Sequence, residues 1–131
     1  MRRIPILFLL LSAVLAGCQS GAVAKKLIVE LDDFSITPDQ FTVQAGSEVK
    51  ISVTNNGTVE HDFNIMEPGA DIGDMFDEED RANVLWEMEV QPGETKSAMF
   101  TVPEKGGIYQ VVCAMPGHMQ AGMIGKLEVV K

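Results

Sequence analysis

From Lys26 onward, apolar and polar side chains alternate in short runs broken by turn residues, the period of two expected of half-buried strands. The clearest run interleaves Val49, Ile51 and Val53 with Lys50, Ser52 and Thr54, and it stops at Asn55-Asn56-Gly57. Runs at 27–31 and 41–43 precede it, the second closed by Gln44-Ala45-Gly46-Ser47. Others follow at 61–66, 85–90, 96–102, 107–113 and 123–130. About eight short strands with turns between them predict an all-β sandwich or barrel. Tyr109, Val111 and Cys113 share one strand face, which makes Tyr109 a core residue, and Trp86 is expected in the core or half-buried at its edge.

Segment 71–81 breaks this alternation. It carries six carboxylates, on Asp71, Asp74, Asp77, Glu78, Glu79 and Asp80, while Ile72, Met75 and Phe76 fall at the i, i+3, i+4 spacing of a helix face. It reads either as a short helix or ordered loop laid on the sandwich near 71–82, or as a solvated acidic loop.

The first 25 residues have a different character. Met1-Arg2-Arg3 leads into a 13-residue, largely apolar run at 4–16. That run is shorter than the roughly 20 residues a membrane-spanning helix needs, but it suits a secretory signal. It closes on Leu15-Ala16-Gly17-Cys18, which resembles a bacterial lipoprotein signal, cut before a cysteine whose sulfur carries a diacylglycerol. The other reading, an ordinary signal peptide, leaves Cys18 as a free thiol, a liability in an exported chain. On the lipoprotein reading, 1–17 are removed, 18–25 are the lipidated N-terminus and a short tether, and 26–131 are the folded domain. The product is exported and held on a bacterial membrane, facing the periplasm or the cell exterior.

Charge narrows the partners. The chain has ten basic and 19 acidic side chains, and without Arg2 and Arg3 the net charge is −11. Such a surface repels phosphate backbones, which argues against nucleic acid and favours basic or neutral partners. Two histidines in total exclude any site that needs many imidazoles, and two cysteines allow at most one disulfide.

The chemistry is concentrated in one loop. Cys113-Ala114-Met115-Pro116-Gly117-His118, followed by Met119-Gln120-Ala121-Gly122-Met123, spaces Cys, His and Met at the mouth of two strands, and Pro116-Gly117 folds the loop back on itself. A thiolate with two imidazoles and a weak axial thioether is the blue-copper donor set. The second imidazole has one source, His61, which lies 52 residues upstream at the start of a strand. Singly, each residue has an ordinary structural explanation: a buried thiol, a structural histidine, one of eight methionines. The combination is what points to a metal.

These residues resemble the small cupredoxins of the azurin, plastocyanin and auracyanin group. The likeness runs through Phe41-x-Val43-x-Ala45-Gly46-x-x-Val49-x-Ile51-x-Val53-x-Asn55, His61-Asp62-Phe63, Tyr109-x-x-x-Cys113-x-x-Pro116-Gly117-His118 and Gly122-Met123-x-Gly125-x-Leu127-x-Val129. It implies a Greek-key β-sandwich holding one type 1 copper per chain, with His61, Cys113 and His118 as equatorial ligands and Met123 on the axis. Asp62 stands where such families usually place an Asn that braces the Cys loop; a carboxylate can still accept backbone N–H bonds, but it adds negative charge near the metal. Ala114 replaces a common hydroxyl, and the azurin disulfide is absent, since Cys18 precedes the fold.

The resemblance implies an electron carrier rather than an enzyme. A trinuclear oxygen site would need more histidines, and a two-copper centre would need a second loop cysteine. The alternative is a copper-binding or copper-delivery lipoprotein using Met115, Met119 and Met123 as soft Cu(I) ligands. Met115, Pro116, Met119 and Ala121 either form an apolar docking surface around His118 or simply pack the loop. The acidic residues Asp77, Glu78, Glu79 and Asp80 are expected to steer a basic redox partner, such as a c-type cytochrome or a membrane oxidase or reductase, toward a monomer.

Overall fold

The computed structural model describes residues 23–131, so the leader and Cys18 lie outside the described residues. Nine strands make up the domain: β1 (Lys26–Asp32), β2 (Ser35–Thr37), β3 (Gln40–Gln44), β4 (Glu48–Asn55), β5 (His61–Met66), β6 (Val84–Val90), β7 (Thr95–Thr101), β8 (Gly107–Val112) and β9 (Ile124–Val130). They form two sheets, ordered β2-β1-β4-β7 and β3-β9-β8-β5-β6. The chain changes sheet after β2, β3, β4, β6 and β7, so β1 pairs parallel with β4 and β3 parallel with β9. This is a Greek-key sandwich. The strand that the alternation did not reveal is β2, whose three residues bury only Ile36 and are too few to display a period.

Alternation builds the core as expected. In β1 and β4 every second residue points inward, and Val29, Leu31, Val49, Ile51 and Val53 are completely buried. Each such side chain removed from water contributes roughly 1.5–3 kcal/mol. Aromatic rings tie the sheets together: Phe63 meets Phe41 and Trp86 edge-on at 6.0 and 6.4 Å, and Trp86 meets Phe100 of the opposite sheet at 5.9 Å. Tyr109 is buried, with its hydroxyl donating to Lys105 O at 2.7 Å, and Trp86 is half-buried.

Segment 71–82 does not form a helix. Its regular structure is confined to one 3₁₀ turn at Asp80–Asn83. Of the three residues at helical spacing, Ile72 is buried and Phe76 half-buried, but Met75 is exposed. Ile72 reaches the outer face of the five-stranded sheet and joins Met66, Val112 and Met119 in a second, smaller apolar cluster. The segment is an ordered cover, because a sheet face carrying Met66 and Val112 would otherwise be wet. No helix among the described residues is long and apolar enough to cross a membrane.

Candidate metal centre

Strand pairing brings the distant histidine to the loop. β5 lies antiparallel to β8 with Asn64 opposite Val112 and Ile65 opposite Val111. Carried two residues further, that register sets Asp62 opposite Ala114, where the Ala114 N–H donates to the Asp62 carboxylate at 2.5 Å. His61 and Cys113 thus arrive together at the same end of the sandwich. The loop is closed by a turn: His118 N–H donates to Met115 O at 3.0 Å across Pro116-Gly117, with Gly117 at φ 83°. Pro at the second turn position and a residue of positive φ at the third are what a type II turn requires. Met123 closes the other side, donating its N–H to His118 O at 3.0 Å and accepting from Cys113 N–H at 3.2 Å.

Three donor atoms converge. His61 Nδ1 lies 3.1 Å from His118 Nδ1, and Cys113 Sγ lies 3.3 Å from His118 Nδ1 and 3.8 Å from His61 Nδ1. A circle through the three atoms has a radius of about 2 Å, roughly the bond length of a first-row divalent ion to imidazole. His61 and Cys113 are completely buried and His118 is 8% exposed, so an ion bound there would be shielded from water. Among the described residues this is the one His, Cys and carboxylate group with metal-holding geometry. A single soft thiolate with two imidazoles fits a type 1 copper. Met123 is completely buried in the same core cluster as Cys113.

Several expected roles change on inspection. Met119 is buried, 3% exposed, in the second apolar cluster, so it anchors the loop and is unavailable as docking surface. Asp80 is also buried, its carboxylate accepting the Asp77 N–H at 2.8 Å, which makes it part of the 3₁₀ turn rather than a free steering charge. Asp77, Glu78 and Glu79 are exposed, Met115 is half-buried, and Pro116 and Ala121 are exposed.

Two groups escaped the sequence reading. Asp33, in the β1–β2 turn, places Oδ1 3.4 Å from His61 Nε2. Phe34 beside it meets the His118 ring edge-on at 5.4 Å. A turn of two residues before a short strand carries no periodic signal, and its proximity to His61 exists only after folding. Asn55, read as a strand stop, also does more: its amide donates to Val59 O and Val90 O, both at 2.8 Å, and its oxygen accepts the Gly57 N–H.

Burial shifts the ligands in opposite senses. It pushes the Cys113 thiol up to about 12, and it holds the His118 imidazole below its ordinary value of 6.5, helped by the neighbouring His61. Both shifts favour the neutral form in the metal-free protein. As pH falls below about 6.5 the unfolded chain takes up a proton on His118 that the folded chain resists, and stability falls. Above pH 9.0 the unfolded chain releases the Cys113 proton that the folded chain retains, and stability falls again, by up to about 1.4 kcal/mol per pH unit. The metal-free protein should therefore show its highest Tm between these limits. In Cys113→Ala the alkaline decline should be reduced and the acid decline kept; calorimetry showing the same alkaline decline in both proteins would refute the assignment.

Comparison with known proteins agrees with this geometry. The family model for a cupredoxin-like domain matches residues 5–125. The copper-resistant cuproprotein CopI of Rubrivivax gelatinosus is 30% identical over 109 residues, covering 78% of this chain and 64% of that protein, so the chain spans less than two thirds of that relative. CopI of Vibrio cholerae is 27% identical over 123 residues, with coverage of 83% and 68%. Among solved structures, dithionite-reduced auracyanin from Roseiflexus castenholzii superposes with a TM-score of 0.72 at 22% identity, covering 84% of this chain and all of that one. Auracyanin A of Chloroflexus aurantiacus, a blue copper protein, gives a TM-score of 0.63 at 25% identity, with coverage of 80% and 99%. The sandwich, the His61–Cys113–His118 donors and the match over most of its length agree: the chain belongs to the cupredoxin-like family.

Proposed function

We propose that this copper protein is an electron carrier, held on a bacterial membrane by a lipid on Cys18 and facing the periplasm or cell exterior. The observation that carries this reading is the convergence of three buried donors on one centre. Bound copper supplies a one-electron couple. The residues around it do the rest: the β5–β8 register and the Met115–His118 turn hold the donors in place, so little has to rearrange when charge changes. Burial keeps water and substrates from the centre, which suits a carrier and not an enzyme. In this reading Met123 is the axial ligand and contributes a long, weak bond.

The second reading, a copper-binding or delivery protein, draws support from the relatives described as copper-resistant cuproproteins. Against it stands the burial of His61 and Cys113, since a donor that hands on its metal needs ligands that a partner can reach.

Spectroscopy separates the two. The oxidised protein should bind one copper with an intense visible charge-transfer band, and Cys113→Ser should abolish the colour, because a hydroxyl is a harder and far less acidic donor. Met123→Leu should keep both copper and colour and raise the reduction potential, since less donation disfavours Cu(II). Loss of all copper from Met123→Leu would instead favour the delivery reading.

The anchor has its own test. Wild-type protein should partition with membranes and incorporate labelled fatty acid, and Cys18→Ser should do neither; an unlabelled wild-type chain would leave only an ordinary signal peptide.

For the partner, we propose a basic redox protein such as a c-type cytochrome or a membrane oxidase or reductase, met by a monomer. Exposed Asp77, Glu78 and Glu79 supply steering charge, Glu78 being paired with Arg81 at 3.5 Å, and four carboxylates, Glu60, Asp62, Glu87 and Glu89, outnumber Arg81 in a concavity with Met115 beside the ligand loop. Such steering fades as salt shortens the screening length to about 8 Å near physiological strength. Converting Asp77, Glu78 and Glu79 to their amides should slow second-order electron transfer to a basic cytochrome at low salt and flatten its salt dependence, with the visible spectrum unchanged. An unaltered slope in stopped-flow kinetics would leave this segment as a cover alone.

A further inference from the structure

The β1–β2 turn reaches both imidazoles of the metal centre. Asp33 Oδ1 lies 3.4 Å from His61 Nε2, and the Phe34 ring stands edge-on to His118 at 5.4 Å. Phe34 holds φ at 73°, the left-handed region, and is the one non-glycine residue among those described with a positive φ. A bulky residue rarely adopts that conformation unless its surroundings impose it, and such outliers gather at functional sites.

The Asp33 carboxylate is itself fixed. Thr58 donates its backbone N–H to Oδ1 at 2.9 Å and its hydroxyl to Oδ2 at 2.7 Å. Gly57 leaves the space this requires: a Cβ there would strike Asp33 Oδ1 and come within 2.8 Å of His61 Nε2. Asn55 sets that glycine by accepting its N–H at 2.8 Å.

His61 faces the two other donors through Nδ1, which must be free of a proton to ligate. A neutral imidazole carries one proton, and an ionised carboxylate can only accept. Each form has a partner: Nδ1–H could donate to neutral His118 Nδ1 at 3.1 Å, and Nε2–H to the Asp33 carboxylate at 3.4 Å. The charged acceptor makes the stronger bond, and the Nε2–H form still lets Nδ1 accept from His118 or the Cys113 thiol, so the carboxylate decides where the proton sits. We propose that Asp33 is a positioning residue of the metal centre, which fixes the Nε2–H form of His61 and so presents Nδ1 to the metal. The proposal rests on the donor triad being a metal site, but its first readout needs no metal. The competing role for Asp33, bracing the turn through Thr58, would leave His61 untouched.

Long-range ¹H–¹⁵N correlation of the metal-free, ¹⁵N-labelled protein reads which His61 nitrogen is protonated. Wild type should show the Nε2–H form alone, and Asp33→Ala should show a mixture of both. Asp33→Asn should restore the single form, since the amide oxygen accepts the same bond. Thr58→Ala, which loosens the turn and leaves the carboxylate in place, should lower the Tm without changing the form. After copper loading, a chelator should strip Asp33→Ala about ten- to a hundredfold faster than wild type, with Asp33→Asn close to wild type. The proposal is overturned if Asp33→Ala keeps the single Nε2–H form, or if Asp33→Asn behaves as Asp33→Ala does. A protein that holds no copper but shows the expected pattern of proton positions would overturn the copper reading and leave the Asp33–His61 assignment standing.

Discussion

The antiparallel pairing of β5 with β8, which sets Asn64 against Val112 and Ile65 against Val111, places His61 beside Cys113 and seals the register with the bond from Ala114 N–H to Asp62. A slip of one residue would turn His61 to the opposite sheet face and remove Asp62 from its partner. Hydrophobic burial resists that slip, since Phe63 and Ile65, on the same face as His61, are completely buried in the main core. The geometry of the donors is therefore held by the whole sandwich and not by the loop alone.

The acidic segment shows how one stretch can serve two physical demands. Its apolar residues cover the outer face of the five-stranded sheet through Ile72 and Phe76, and in doing so they trap Met119 of the ligand loop against Met66 and Val112. Its carboxylates divide accordingly. Asp80 is drawn inward to cap backbone at Asp77, while Asp77, Glu78 and Glu79 stay in solvent and set the local field. A segment that both braces the metal loop and carries charge near it links the site's rigidity to its electrostatics.

The fold shared with the auracyanins and the sequence shared with CopI proteins bear on different matters. The superposition fixes the architecture, and the family match fixes the class. Two carboxylates meet the donor residues: Asp62 on the backbone of the Cys loop and Asp33 on the ring of His61. Negative charge placed there favours the more positive state of a bound metal, so these residues enter the energetics of the centre as well as its shape.

Much was legible before folding. The period-two runs located eight of the nine strands, because a side chain that must be buried on one face leaves its mark on every second residue. The donor set was legible too, since His61 and His118 exhaust the histidines and Cys113 is the one cysteine among the described residues. The helix suggested by Ile72, Met75 and Phe76 failed because three residues at the right spacing do not outweigh a sheet face that needs covering by an irregular strap. The burial of Asp80 was likewise invisible, since it looks like a surface residue in an acidic loop, and the burial of Met119 stood as one of two readings. Asp33 could not be read at all. Local pattern determined the strands and the identities of the donors, because alternation and residue type are written along the chain. Only the tertiary structure decided which carboxylate meets His61 and which methionine faces inward, because those contacts join residues that come together once the sheets have paired.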